Sequence, residues 1–143
     1  MLINPYLNFD GNAEEAFRFY HSVLGGKFSI MKMTDAPGQE NLSEEERNHA
    51  MHVAIRFPNN QLLMASDILP SAGHVLQTGN YSYISFSTDT REEADRIFQG
   101  LSEGGNIEMP MQDMFWGDYF GSFIDKFGIG WMINFNATYT SAI

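Results

Sequence analysis

Two stretches of the chain show the same order of hydrophobic and polar positions. The segment YLNF at residues 6–9 alternates as a strand does, and apolar residues then recur at helical spacing between residues 13 and 24. Residues 83–105 repeat this order, with an alternating segment followed by a helical one. The glycine pairs 25–26 and 104–105 are typical of helix ends, because glycine accepts a left-handed backbone conformation. The pattern therefore predicts a strand–helix unit that occurs twice.

Both predicted helices begin next to a residue that can cap a helix. Asn12 precedes the first helix and Glu15 follows three residues later, while Thr90 and Glu93 have the same spacing in the second. This spacing is typical of a capping box, in which the two side chains bond to backbone amides at the start of the helix. We therefore expect Asn12 and Thr90 to cap their helices through their side chains.

Three further strands are predicted after each helix, because short apolar segments alternate there with turn residues. Pro110 lies within one of these segments, and since proline has no N–H group, it indicates an edge strand or a bend. The six segments are KFSIMKM, HAMHVAIRF and QLLMAS in the first half, and NIEMPM, YFGSFID and GWMINF in the second.

The predicted fold class is therefore α+β, with two βαβββ modules that arise from an internal duplication. We expect a single domain over residues 1–143, with a first module at about residues 1–70 and a second at about residues 80–140. A polar and acidic stretch at residues 34–48 predicts a surface loop, with a short helix that Ser43 and Glu46 cap.

Composition narrows the chemistry. Eighteen acidic residues against eight basic ones give a net charge of -10, which disfavours binding to the phosphates of a nucleic acid. The absence of cysteine excludes thiol catalysis, disulfides and cysteine metal sites. The sequence shows neither a secretory leader nor an apolar run long enough to span a bilayer. We therefore expect a cytoplasmic protein with neither a nucleic acid nor a membrane as partner.

Four motifs cover nearly the whole chain: PYLNFDGNAEEAFRFYHSVLGG at 5–26, HA at 49–50, LLMASD at 62–67 and FWGDYFGSFIDKFGIGWMIN at 115–134. In these motifs the sequence resembles the PhnB-like branch of the vicinal oxygen chelate superfamily, which includes glyoxalases, bleomycin resistance proteins and dioxygenases. The resemblance implies two βαβββ modules whose sheets curl around a cavity, commonly in a homodimer. In metal-dependent relatives, inward side chains from the first and last strand of each module hold a divalent ion.

The resemblance places the four metal positions at Pro5, Met64, Tyr83 and Asn134. Proline offers no donor, a thioether is too soft for the ions of such a site, and a neutral phenol is a weak ligand. We therefore expect neither a metal nor another cofactor. A displaced divalent-metal site is the alternative, and it would draw on His49 and Asp67 or on their neighbours Asn8, His52, Ser66 and Ser85.

Without a metal, the resemblance implies a small-molecule ligand in the cavity of a homodimer. Strand alternation and the family's HA position indicate which side chains line that cavity, and the mixture of aromatic, hydroxyl and amide groups suits a small neutral or aromatic compound. Trp131, Ile133 and Phe135 alternate with the lining and are expected in the core. The expected ligand-binding residues are His49, Met64, Ser66, Tyr83, Ser85, Phe115, Trp116, Phe120 and Asn134.

Three functions stay open: a metal-free binding protein, a metal-assisted lyase, isomerase or dioxygenase of glyoxalase type, and a purely structural protein. Relatives in this branch are often described as demethylubiquinone methyltransferase-like, but the chain lacks the glycine-rich strand-to-helix loop of a nucleotide-type site. A phosphonate ligand is also disfavoured, because the inward positions supply no Arg or Lys. Asp67 and Asp125 each stand next to a turn, where we expect their carboxylates to bond backbone amides.

Overall fold

The computed structural model describes residues 1–39 and 41–138. Glu40, in the predicted loop, and residues 139–140, at the end of the predicted second module, lie outside the described residues. The chain divides into two compact units, the first spanning Met1–Gln77 and the second starting at Thr78. Each unit contains a four-stranded mixed sheet with a long helix packed on one face, so the α+β fold with two βαβββ modules is confirmed.

In the first unit, strand β1 pairs in parallel with the last strand, and the other neighbours are antiparallel. The strand order across the sheet is β1-β4-β3-β2. A short helix, α2, lies between β2 and β3, and the Ser43 hydroxyl accepts a bond from the Glu46 amide, as predicted. The elements are β1 (Tyr6–Phe9), α1 (Ala13–Leu24), β2 (Lys27–Lys32), α2 (Glu44–Arg47), β3 (Ala50–Arg56) and β4 (Leu62–Asp67).

The second unit repeats this topology with the strand order β5-β8-β7-β6. Pro110 lies on the edge strand β6, as predicted, and the pairing of β6 with β7 shifts register on both sides of Met109. The elements are β5 (Ile84–Thr88), α3 (Arg91–Ser102), β6 (Asn106–Asp113), β7 (Tyr119–Ile124) and β8 (Gly130–Phe135).

The core of each unit lies between the helix and the sheet face that packs against it. In the first unit, Phe17 and Tyr20 of α1 and Val53 and Ile55 of β3 are fully buried. In the second unit, the buried residues include Ile97, Leu101, Phe123, Trp131 and Ile133. The core prediction is thus confirmed for Trp131 and Ile133, whereas Phe135 is only partly buried. Burying each such side chain stabilises the fold by about 1.5–3 kcal/mol.

The two long helices begin differently. Thr90 caps α3 as predicted, with its hydroxyl accepting from the Glu93 amide at 3.1 Å. The corresponding prediction for Asn12 is wrong, because its side chain makes no capping bond. The Asp67 carboxylate, at the end of β4, instead accepts from the amides of Gly11 at 2.9 Å and Ala13 at 3.0 Å. Asp67 reaches this turn because it pairs with Phe9 at the end of β1, and a carboxylate is a stronger acceptor than an amide oxygen.

Candidate functional site

Alternation along the strands leaves each sheet with one face turned away from its helix. On the first helix-free face, Tyr6 pairs with Met64, and Asn8 with Ser66. The face continues across β3 and β2, because Met64 pairs with Ala54 and Ala54 with Ser29. The first helix-free face thus comprises Tyr6, Asn8, Lys27, Ser29, Met31, His52, Ala54, Arg56, Leu62, Met64 and Ser66.

A phenol and an imidazole meet on this face. The Tyr6 hydroxyl lies 3.3 Å from His52 Nδ1, and the two ring centroids are 5.8 Å apart. With the imidazole protonated at Nε2, Nδ1 accepts a hydrogen bond from the phenol. Tyr6 is about half exposed, so this pair is accessible in part. Alternation of single strands does not indicate the pair, since the contact depends on the register of three strands.

The second helix-free face is richer in hydroxyl groups. Ser85 pairs with Met132, and Ser87 with Asn134. On the other side of β8, Asn134 pairs with Phe120, and Met132 with Ser122. The second helix-free face thus comprises Ser85, Ser87, Met109, Gln112, Phe120, Ser122, Met132 and Asn134.

The side-chain amide of Asn134 lies on β8, the strand between β5 and β7. Its Oδ1 atom is buried and has no hydrogen-bond partner among residues 1–39 and 41–138. A buried polar atom without a partner costs about 1–3 kcal/mol, so such atoms are uncommon in stable proteins. The nearby Ser122 hydroxyl group belongs to a residue that is only 5% exposed. This part of the face is therefore polar, with Ser122 buried and Ser87, the partner of Asn134, exposed.

Tyr83 lies directly before β5, at the margin of the second helix-free face. Its ring packs over Gly130, where a Cβ atom would come within 2.8 Å of the ring. Its hydroxyl donates to the two carboxylate oxygens of Glu108, at 2.8 and 2.9 Å. This hydrogen bond raises the pKa of the Tyr83 phenol. Tyr83 thus links the first and last strands of the sheet order.

His49 stands just before β3 and contacts the turn that joins β1 to α1. Its Nε2 atom lies 3.0 Å from the position that a Cβ atom on Gly11 would occupy. The backbone of His49 is fixed on both sides, by bonds to the Glu46 carbonyl and the Met33 amide. Its Nδ1 atom is buried and, within the part of the chain that the structure describes, has no hydrogen-bond partner.

Phe115 and Trp116 lie at the tip of the hairpin between β6 and β7. Phe115 is 97% exposed and Trp116 53% exposed, with their ring centroids 4.9 Å apart. The indole N–H of Trp116 donates to Asp118 at 2.9 Å, which fixes the orientation of the ring. These two aromatic side chains therefore belong to the hairpin tip and are not among the paired residues of the second helix-free face.

The structure brings some of the sequence-predicted residues together and separates others. Met64 and Ser66 share the first helix-free face, while Ser85, Phe120 and Asn134 share the second, with Tyr83 at its margin. His49, Phe115 and Trp116 lie apart from these paired positions. Sequence reasoning missed Ser87 and Ser122, although strand alternation would have indicated them, and it missed the pairing of Tyr6 with His52.

The carboxylates of Asp67 and Asp125 bond backbone amides, as predicted. Asp67 is buried and accepts from Ala50 at 2.8 Å in addition to the two amides at the start of α1. Asp125 accepts from the amides of Phe127 and Ile129 and from the indole N–H of Trp131. Because its oxygens already accept three bonds, Asp67 has little capacity left to ligate a metal.

The helix-free positions of the family's metal-bearing strands carry neither a carboxylate nor an imidazole. Pro5 precedes β1, so the strand itself presents Tyr6 and Asn8. Divalent ions in such sites prefer carboxylate oxygen and imidazole nitrogen ligands at several positions. Residues 1–39 and 41–138 contain no group of three His, Asp or Glu side chains arranged to hold an ion. The helix-free positions of the four strands are Tyr6, Asn8, Met64, Ser66, Ser85, Ser87, Met132 and Asn134.

None of the helices described within residues 1–39 and 41–138 has the length and apolar character needed to cross a membrane.

Comparison with known proteins identifies relatives over nearly the whole chain. Residues 2–133 match the model of the Glyoxalase/Bleomycin resistance protein/Dioxygenase superfamily. Protein YjdN of Escherichia coli strain K12 is 32% identical over 145 residues, which cover 94% of this chain and 95% of YjdN.

Solved structures give the same result. Protein PA1353 from Pseudomonas aeruginosa is similar with a TM-score of 0.84 and 36% identity, covering 95% of this chain and 98% of that one. A Bacillus cereus protein, described as a putative 3-demethylubiquinone-9 3-methyltransferase, PhnB protein, has a TM-score of 0.73 and 25% identity. That similarity covers 94% of this chain and 99% of the Bacillus chain.

Proposed function

Because the chain belongs to the glyoxalase/bleomycin resistance protein/dioxygenase superfamily, and its PhnB-like resemblance is confirmed, we propose that it binds a small organic molecule without a metal. One observation carries the proposal. The two buried side-chain atoms that lack a partner among the described residues, His49 Nδ1 and Asn134 Oδ1, belong to two residues that the sequence had indicated as ligand contacts. A ligand that bonds such an atom would recover about 1–3 kcal/mol.

The chemistry of the two helix-free faces supports this proposal. Both combine hydroxyl, amide and thioether groups with an aromatic ring, which is the mixture that orients a small ligand in a largely apolar site. In each sheet, the two strands that run in parallel bring an asparagine opposite a serine: Asn8 with Ser66 in the first unit, and Ser87 with Asn134 in the second. Each unit therefore offers an amide–hydroxyl pair that can donate and accept hydrogen bonds.

A metal-assisted lyase, isomerase or dioxygenase is the alternative that the family membership keeps in view. Such a site would need Asp67 as a ligand together with His49, yet the Asp67 carboxylate is committed to three backbone amides. Methyl transfer, as in the description of the Bacillus protein, has no support from a glycine-rich strand-to-helix loop in this sequence. We therefore favour binding over either reaction.

The test begins with protein purified without chelator and analysed for metal content. Thermal-shift titrations with nickel, zinc and manganese, and with a library of uncharged, cationic and anionic metabolites, then follow. We expect no stoichiometric metal and at least one organic compound that raises the melting temperature. Stoichiometric metal with a large thermal shift would overturn the proposal in favour of the metalloenzyme.

Matched variants locate the binding. Asn134→Ala removes the amide whose oxygen is buried, whereas Gln99→Ala removes an exposed amide on α3. The thermal shift caused by the compound should be lost in the first variant and kept in the second. Equal shifts in both would place the ligand elsewhere. The expected homodimer and the cytoplasmic location remain predictions, and light scattering coupled to size exclusion would check the former.

A further inference from the structure

We infer that the second helix-free face takes an organic cation, namely an ammonium or amidinium group attached to an apolar or aromatic body. The inference rests on the proposed function and adds the chemical class of the ligand. Three features of the second unit carry it: the unsatisfied acceptor on Asn134, the aromatic ring beside it, and the distribution of charge around this face.

The Asn134 side chain determines which hydrogen-bonding group the ligand must provide. The unsatisfied atom of Asn134 is a carbonyl oxygen, which can only accept. The ligand must therefore bring an N–H or O–H group to this point. The hydroxyl of Ser87, on the residue paired with Asn134, can accept a second N–H from the same group. An ammonium group has three donors and satisfies both oxygens at once.

Phe120 adds an aromatic ring to the same face. Phe120 pairs with Asn134 on the opposite side from Ser87, so the three side chains share one row of the sheet. The face of an aromatic ring attracts a cation that lies within about 6 Å of its centre. A positive group that bonds Asn134 thus lies on the strand directly beside the one that carries this ring, which can stabilise it.

The second unit carries more acidic than basic residues. From Thr78 to the end of the chain there are nine acidic residues and only three basic ones, Arg91, Arg96 and Lys126. Arg91 pairs with Asp113 at 2.6 Å, and Lys126 lies against Gly104 and above the Phe127 ring. None of the three is on the second helix-free face, and the carboxylate at its margin is that of Glu108. On this face an anion would meet no basic side chain of the second unit, whereas a cation has the Glu108 carboxylate at the margin.

The first helix-free face provides an internal contrast. Lys27 and Arg56 are paired residues on that face, so the expectation that inward positions supply no Arg or Lys is wrong for the first unit. His52 lies on the same strand as Arg56. A ligand cation would be repelled there. A cationic ligand is therefore expected on the second unit alone, and the amide chemical-shift changes caused by a cationic probe should map to residues of β5, β7 and β8.

The experiment uses three probes with the same phenyl group: 2-phenylethylamine, 2-phenylethanol and 3-phenylpropionate. Each is titrated into the full, isotope-labelled chain and followed by amide nuclear magnetic resonance. We expect the ammonium probe to bind roughly tenfold more tightly than the carboxylate probe, because the ammonium group donates N–H groups to the Asn134 and Ser87 oxygens, whereas a carboxylate can only accept. Its shifts should centre on Ser87, Phe120 and Asn134.

Two substitutions sharpen the result. Asn134→Asp keeps the shape and the acceptor oxygen and adds a negative charge, so binding of the ammonium probe should tighten by about tenfold. Asn134→Leu should abolish binding, and if that variant fails to fold, the aspartate variant still decides. Tighter binding of the carboxylate probe, equal binding of all three probes, or no binding of the ammonium probe would each overturn the inference.

The two proposals fail separately. A library compound that is anionic and depends on Asn134 would leave the proposed binding function intact and contradict the cationic ligand class. A library without any binder, together with stoichiometric metal, would contradict the binding function itself.

Discussion

The helix of the first unit and the helix of the second begin on different supports. At α1, the Asp67 carboxylate arrives from a strand that lies far along the chain and bonds the amides of Gly11 and Ala13. At α3, the hydroxyl of Thr90 bonds an amide three residues away. The same sequence pattern therefore leads to a tertiary support in one unit and to a local cap in the other.

The paired strand ends explain the difference. Phe9 pairs with Asp67 in the first sheet, and Thr88 pairs with Phe135 in the second. Phe135 thus occupies the position that Asp67 has in the first unit, and a phenyl ring cannot accept amide bonds. The second helix has to use its own residues. Because Asp67 also bonds the Ala50 amide, the start of α1, the start of β3 and the end of β4 depend on one side chain.

Replacement of Asp67 by alanine should have the largest effect on this comparison. It leaves three backbone amides without their acceptor, and we expect a loss of about 3 kcal/mol in the free energy of unfolding. Urea denaturation followed by far-ultraviolet circular dichroism measures the change. Both tryptophans, Trp116 and Trp131, lie in the second unit. Their fluorescence therefore provides the control, because it reports on the unit that does not carry the substitution. A loss below about 0.5 kcal/mol would contradict the tertiary support.

Replacement of Asp125 by alanine should cost less, at about 2 kcal/mol. Its amide partners, Phe127 and Ile129, are only partly buried, so water can replace part of the lost bonding. The bond to the indole of Trp131 is also lost, which should change the fluorescence spectrum of the folded protein. Trp116→Phe isolates the Trp131 signal for this measurement. An unchanged spectrum would show that the carboxylate does not hold the indole.

Replacement of Thr90 by alanine tests the local cap. We expect a loss of about 1 kcal/mol, since removing a side-chain cap typically has this effect. Asn12→Ala at the other helix is the matched control and should change the unfolding free energy by less than about 0.5 kcal/mol. Equal losses in the two variants, measured by urea denaturation, would remove the distinction between the helices.

The smallest expected effect concerns Tyr83 at high pH. Its hydrogen bond to Glu108 raises the pKa of the phenol in the folded state. A raised pKa means that the contribution to stability is complete below the ordinary phenol pKa and is lost as the pH rises through the folded value. The phenolate absorbance of the wild type minus that of Tyr83→Phe isolates this titration. Glu108→Gln should lower the pKa of the Tyr83 phenol. An unchanged titration curve would contradict the hydrogen bond between Tyr83 and Glu108.

Much of the fold follows from the sequence because its strands alternate clearly and have marked ends. The segments YLNF and GWMINF correspond to β1 (Tyr6–Phe9) and β8 (Gly130–Phe135) without adjustment. The prediction of a cap at Asn12 was wrong because the acceptor that bonds the first helical amides is Asp67, more than fifty residues away in the sequence. A local pattern contains no information about an acceptor that arrives through strand pairing.

The candidate site follows from the sequence only in part. Alternation correctly placed Met64 and Ser66 on one face of the first sheet. It also placed Ser85 and Asn134 on one face of the second sheet. It could not place the hairpin tip that carries Phe115 and Trp116, because turn residues have no fixed side-chain period. Nor could it bring Tyr6 to His52, since that contact requires β4 to lie between their strands, and sequence order alone does not show this.

The outer strand β6 has a further consequence, for the association of this chain with other chains. An exposed edge strand normally offers a regular row of unpaired donors and acceptors, along which a foreign strand can add. In β6, Pro110 removes one donor, and the register shifts on both sides of Met109 interrupt the row. This edge of the second sheet is thereby less suited to the addition of a foreign strand, even though β6 is the longest strand described within residues 1–39 and 41–138.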